Sequence, residues 1–122
     1  MTKEIAIDET QRLISSSKVE GTRVYDRKGE KLGTVRNFMV DKRSGQAEYA
    51  VMEFGGLFGI GSEYYPIPWD MLDYEEEQGG YVVDIDKSRL ENAPRYAAED
   101  PTYDHVYGRE VYGYWGIPYP FM

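Results

Sequence analysis

Residues 46–69, QAEYAVMEFGGLFGIGSEYYPIPW, limit what this chain can fold into more than any other stretch. An apolar run from Tyr49 to Phe54 enters a glycine-rich turn. A second extended run leaves it and ends in Pro66-Ile67-Pro68-Trp69. This pattern predicts the central hairpin of a small β domain, with neighbouring strands wrapped around it. Within residues 46–54 both faces are apolar, with Ala47, Tyr49 and Val51 on one and Ala50, Met52 and Phe54 on the other. Only one face can point into a small barrel, so the other must be covered by the C-terminal segment or by a second subunit.

The flanking segments repeat one formula, a short apolar run followed by a turn. Thr22 to Tyr25 predicts a strand, and Asp26-Arg27-Lys28-Gly29 supplies the turn: Asp hydrogen-bonds its own backbone and Gly takes a positive φ. The next strand is expected over about 31–41. Its apolar positions Leu32, Val35, Phe38 and Val40 break the period of two, and a β-bulge near Arg36-Asn37 restores it. Asp41-Lys42-Arg43-Ser44-Gly45 then repeats the turn. Beyond the hairpin, Trp69 to Leu72 reads as one turn of helix, residues 75–80 as an acidic turn and Tyr81 to Ile85 as a strand. Asp86 is placed to cap a short helix over Lys87 to Asn92, which Pro94 ends. Leu13 to Gly21 reads as a turn or single helical turn introducing the first strand. The serines within it are local hydrogen-bonding residues, since no base is patterned near them. Short strands at this density, without a long helical pattern, predict an all-β fold: a small antiparallel barrel of about six strands. The boundaries expected are an arm over 1–12, a domain over 13–94 and a tail over 95–122.

A chain of 122 residues supports one modest core, and its 13 glycines suit many turns. Without cysteine it has no disulfide scaffold, thiolate metal site or thiol nucleophile. The first twelve residues contain no signal-like apolar region, and no run approaches the roughly 18 apolar residues a membrane span needs. A cytoplasmic protein is expected. The net charge of −8 disfavours nucleic acid as a partner. It is unevenly spread: residues 18–43 carry eight basic and four acidic side chains, residues 46–91 two and eleven.

The segments VEGTRVYDRKGEKLGTV, DKRSGQAEYAVMEFGGLFGIG, YPIPWDML and GGYVVDIDKSRLENAP, in this order and spacing, resemble the PRC-barrel domain in its small stand-alone bacterial form. The resemblance runs over about residues 13–94. Its most specific pieces are the hairpin from Phe54 to Gly61, the Pro66–Trp69 step and Leu90 to Pro94. It implies a compact β-barrel. Related members include the cytoplasmic part of the photosynthetic reaction-centre H subunit and the C-terminal domain of the ribosome-maturation factor RimM. The family motif is structural, so the resemblance implies an adaptor or assembly module and carries over no catalytic residue.

Potential sites reduce to structural roles. The cluster Gly55 to Gly61 lacks the Lys-Ser/Thr of a phosphate loop and leads into another extended run, so no helix N-terminus meets a phosphate. Asp70, Asp73, Glu75, Glu76 and Glu77 lack the alternation and glycine of a calcium loop. His105 is the only histidine, with no ligand or triad partner at any recognisable spacing. No catalytic, cofactor or metal residue is expected, and no cofactor. Leu57, Phe58 and Ile60 at the hairpin tip either plug the barrel or form an exposed contact.

The tail is the anomaly, with eight aromatics in its 28 residues and three prolines. Such side chains bury readily, so the tail is expected to dock on protein surface. The exposed face of the central strand is its natural receptor, on the same subunit or on a neighbour; the alternative is that the tail is held for an outside partner. Pro118 and Pro120 suggest an extended end. Phe54, Leu57, Phe58, Ile60, Tyr112, Tyr114 and Trp115 are the interface candidates. The function expected is a non-catalytic protein-interaction or assembly module, homodimeric and with an unidentified protein partner. The alternative is a ribosome- or RNA-associated assembly factor of RimM type, supported by the basic 18–43 segment.

Overall fold

The computed structural model describes residues 13–54 and 63–121. A one-turn helix, α1 (Ser16–Val19), leads into β1 (Arg23–Tyr25), β2 (Lys31–Val40), β3 (Ala47–Phe54) and β4 (Glu63–Pro68). A 3-10 turn over Trp69–Met71 precedes the hairpin of β5 (Asp73–Glu75) and β6 (Gly80–Val82). A second 3-10 segment, Lys87–Asn92, and the helix α2 (His105–Trp115) complete the chain.

The turns form by the local chemistry their sequences imply. Asp26 Oδ1 accepts from the Lys28 and Glu30 amides, both at 2.9 Å, and Gly29 sits at φ 86°. Those amides hold the Asp26 carboxyl below its ordinary range, the Glu30 amide most strongly. Asp41 does the same for Arg43 and Ser44, and Asp86 accepts from Ser88 N. β2 bulges where its apolar period breaks: Val35 faces Met52 while Asn37 faces Val51, leaving Arg36 opposite no partner residue. Val35 and Phe38 thereby share the face that packs on the main core.

Strand order corrects the expected closed antiparallel barrel. The six strands form one mixed sheet in the order β4-β3-β2-β1-β6-β5. β6 joins β1 in parallel, Val24 opposite Tyr81 and Tyr25 opposite Val82, and every other pair is antiparallel. Among the described residues β4 and β5 are the two edges and do not pair, so the sheet curls without closing. The reason lies in the edges themselves. β5 has three residues, all exposed. In β4, Pro66 and Pro68 lack the N–H that a further strand would need, and the edge at Tyr64 is taken by a bridge to Tyr96.

The core lies within the curl and includes Val24, Val35, Met52, Ile67 and Val83. At Gly33 β2 leaves no room beside β3: a Cβ there would lie 2.1 Å from the Glu53 carbonyl oxygen. Because that oxygen belongs to main chain, Gly33→Ala must displace the β2–β3 ladder. A loss of about 1–3 kcal/mol is expected, read as a lowered thermal midpoint with an unchanged far-UV spectrum at 20 °C.

Candidate interaction surfaces

The second face of β3 sets the first surface. Tyr49 and Val51 point away from the main core and are nonetheless buried. Over Tyr49 the cover is the chain's own tail, which is helical over its central part. Asp104 caps α2 by accepting from the Tyr107 amide at 2.9 Å. Gly116, at φ 75°, closes the other end: its N–H bonds the Gly113 carbonyl and that of Ile117 the Tyr112 carbonyl. Gly108, Val111 and Tyr112 are the helix's buried residues. Beyond it the chain turns back over Gly108, where an added Cβ would lie 2.4 Å from the Tyr119 ring.

Tyr112 is the hinge pin of this packing. Its ring meets Tyr49 edge-on at 5.7 Å, Tyr119 at 5.2 Å and Phe121 at 5.8 Å. Its hydroxyl donates to the Glu48 carbonyl at 2.6 Å. That carbonyl is available because Glu48 is a second bulge: Met39 faces Tyr49 and Val40 faces Ala47. Tyr103 joins from the other side, 5.1 Å from Tyr49 and 5.4 Å from Tyr107. Burial pushes the phenols of Tyr49, Tyr103 and Tyr112 well above their ordinary range, and that of Tyr107 up to about 12.

Tyr114 packs on the main core, and Trp115 packs on both that core and the cluster around Tyr49 and Tyr112. Arg89 clasps them: its guanidinium lies 4.6 Å from the Tyr114 ring centre and 5.5 Å from that of Trp115. It donates to the Tyr114 carbonyl, and the Tyr114 hydroxyl donates back to the Arg89 carbonyl. His105 contacts Tyr119, Nδ1 to hydroxyl, at 2.8 Å. Phe54 lies in the main core, 5.2 Å from Tyr65. Leu57, Phe58 and Ile60 lie outside the described residues.

The second surface is the β5 edge. Leu13, Ile14 and Tyr74 are 71%, 51% and 52% exposed, the highest of any large apolar residues described except Val106. They line an open cleft of about 430 Å³ with Tyr81 on its floor, and Lys18 and Glu76 at its rim. Spacing alone did not reveal this cleft, because Leu13 and Ile14 precede the first strand and β5 carries no apolar alternation. A second cleft, between Arg27, Lys28 and Lys87 and the carboxylates of Asp26, Glu30, Asp84 and Asp86, is charged on both sides. Arg27 reaches Asp84 at 3.7 Å and Asp73 at 4.0 Å, and Lys87 reaches Glu30 at 3.9 Å. Among the described residues no group of three or more His, Asp or Glu is gathered as a metal site, and no helix is long and apolar enough to cross a membrane.

The model of the PRC-barrel domain matches residues 11–90. The chain belongs to the PRC-barrel family. It is also similar to an uncharacterised protein of Deinococcus radiodurans, 27% identical over 91 residues. That alignment takes in 75% of this chain and 30% of the relative, so the chain spans about a third of the protein it matches. The matched region stops short of α2.

Proposed function

We propose that the chain is a non-catalytic protein-interaction or assembly module that docks through exposed apolar positions on a rigid sheet. The observation that carries this reading is the exposure of Leu13, Ile14 and Tyr74 beside a sheet edge. Asp26, Asp41, Asp86 and Asp104 are engaged in turns and caps, and Arg27 and Lys87 in surface ion pairs; family membership is in keeping with a binding role. The hairpin residues Leu57, Phe58 and Ile60 are a second docking element and the proposed contact of a homodimer. The tail supplies the cover of β3, so dimerisation rests on the hairpin alone. The basic 18–43 segment offers less to RNA than its charge implies, because Arg27 is beside carboxylates and Arg36 lies 4.1 Å from the Tyr64 ring centre.

Light scattering on the full chain tests the association. A dimer is expected for the parent, and Phe58→Asp should move it to monomer with the far-UV spectrum preserved. A parent that stays monomeric at high micromolar concentration removes the homodimer from the reading.

A further inference from the structure

We infer that the β5 edge is a strand-addition site for a basic, extended segment of another protein. The inference rests on the interaction-module reading and gives it a surface and a partner chemistry. On the side away from β6 the main chain of Asp73–Glu75 has no strand neighbour among the described residues. An open edge of this kind accepts an added strand, whose backbone supplies affinity and whose alternate side chains supply choice. Alternation here is sharply two-sided. Tyr74 pairs with Tyr81, ring centres 5.4 Å apart, on the face that continues into the cleft with Leu13 and Ile14. Asp73 and Glu75 flank it in sequence and so point to the opposite face. Glu76 and Glu77 follow in the turn, and no Lys or Arg occurs from residue 70 to residue 86.

Charge selects the occupant. A second copy of β5 would set carboxylate against carboxylate, which is destabilising across a strand pair. The chain's own first twelve residues contain Lys3 and Arg12 against Glu4, Asp8 and Glu9, with no surplus of positive charge to offer. Nucleic acid brings phosphates to an acidic edge. A strand with Lys or Arg at every other position meets Asp73 and Glu75 with opposite charge. Its intervening aliphatic side chains then lie over Tyr74 and enter the cleft. Lys18 at the rim and Arg27 near Asp73 oppose it; both are exposed, and Arg27 is held at 4.0 Å, where an ion pair contributes little.

The probe is an N-acetylated, C-amidated heptapeptide of alternating lysine and valine, titrated into the full ¹⁵N-labelled chain. Amide shifts are expected at residues 73–77 and 13–14. Affinity should fall about tenfold when Glu75→Gln, Glu76→Gln and Glu77→Gln are combined, as for a contact steered by charge. Tyr74→Ala should weaken binding without changing its salt dependence. The control is an alternating lysine–proline peptide of equal charge, which lacks the N–H at every residue placed over Tyr74. Equal binding of that control, shifts on another face, or none at millimolar peptide overturns the inference. The Phe58→Asp experiment reads the hairpin and is blind to β5, so loss of this site and loss of the module reading are separable.

Discussion

Tyr112→Ala is expected to lower stability by about 3–5 kcal/mol, the range for removing a large aromatic from a core. The ring is 3% exposed and touches Tyr49, Tyr119 and Phe121, so its loss opens a cavity that three other rings line. The hydroxyl adds a separable part. Tyr112→Phe keeps the packing and leaves the Glu48 carbonyl unpaired, at a cost of about 1–2 kcal/mol. For a domain of this size the alanine variant should melt roughly 10–20 °C below the parent, the phenylalanine variant a few degrees below it. Deleting residues 100–122 should go further, because it uncovers Tyr49 and removes every tail ring packed around it. That truncated chain is expected to self-associate through the bared face of β3. Differential scanning calorimetry with sedimentation velocity reads both effects. A Tyr112→Ala protein melting within about 2 °C of the parent would show that α2 contributes nothing to the fold.

Much of this architecture was legible because it depends on neighbours in sequence. Asp41 and Gly45 specify their turn wherever they stand, and the broken period between Val35 and Phe38 has only a bulge as its remedy. The parity of residues 46–54 likewise requires a cover for Tyr49 and Val51. What parity cannot supply is strand order: nothing local to Gly80–Val82 says that it will lie parallel to β1, and the mixed character of the sheet follows from that one pairing. β5 was hidden because an exposed Asp-Tyr-Glu strand has no alternation to detect. The helix in the tail was hidden for another reason. Gly108 and Gly113, with tyrosine at 107, 112 and 114, make a weak helix former by propensity, and Pro118 and Pro120 draw the eye to extended structure. Its end signals were nevertheless present in Asp104 and Gly116. Burial of Val111 and Tyr112 against β3 overrides the propensity, which is a tertiary effect that no window of sequence contains.

The same packing predicts that the protein unfolds in alkali from the tail inward. Four phenols at this interface, Tyr49, Tyr103, Tyr107 and Tyr112, are raised above the value they have in an unfolded chain, chiefly by desolvation. A raised acid favours the folded state only while it keeps its proton. Below about pH 10 both states are protonated and the contribution is constant. Above it the unfolded chain loses protons that the folded chain still holds, so each further rise in pH draws the equilibrium toward unfolding. Stability should therefore fall steeply between about pH 10 and 12, with Tyr107 ionising at the upper end of that window in the folded chain. The thermal midpoint is expected to drop by about 10 °C or more across it. The share of tyrosinate absorbance at 295 nm that these four contribute should rise late and together with the loss of near-UV dichroism, as α2 lifts and exposes the phenols at once. Replacing Tyr107 with phenylalanine removes one of the four and should flatten the alkaline limb while leaving the midpoint at pH 7 nearly unchanged. An absorbance rise completed near pH 10 with dichroism intact would mean that these rings are already in water, and the covered face of β3 would not exist in solution.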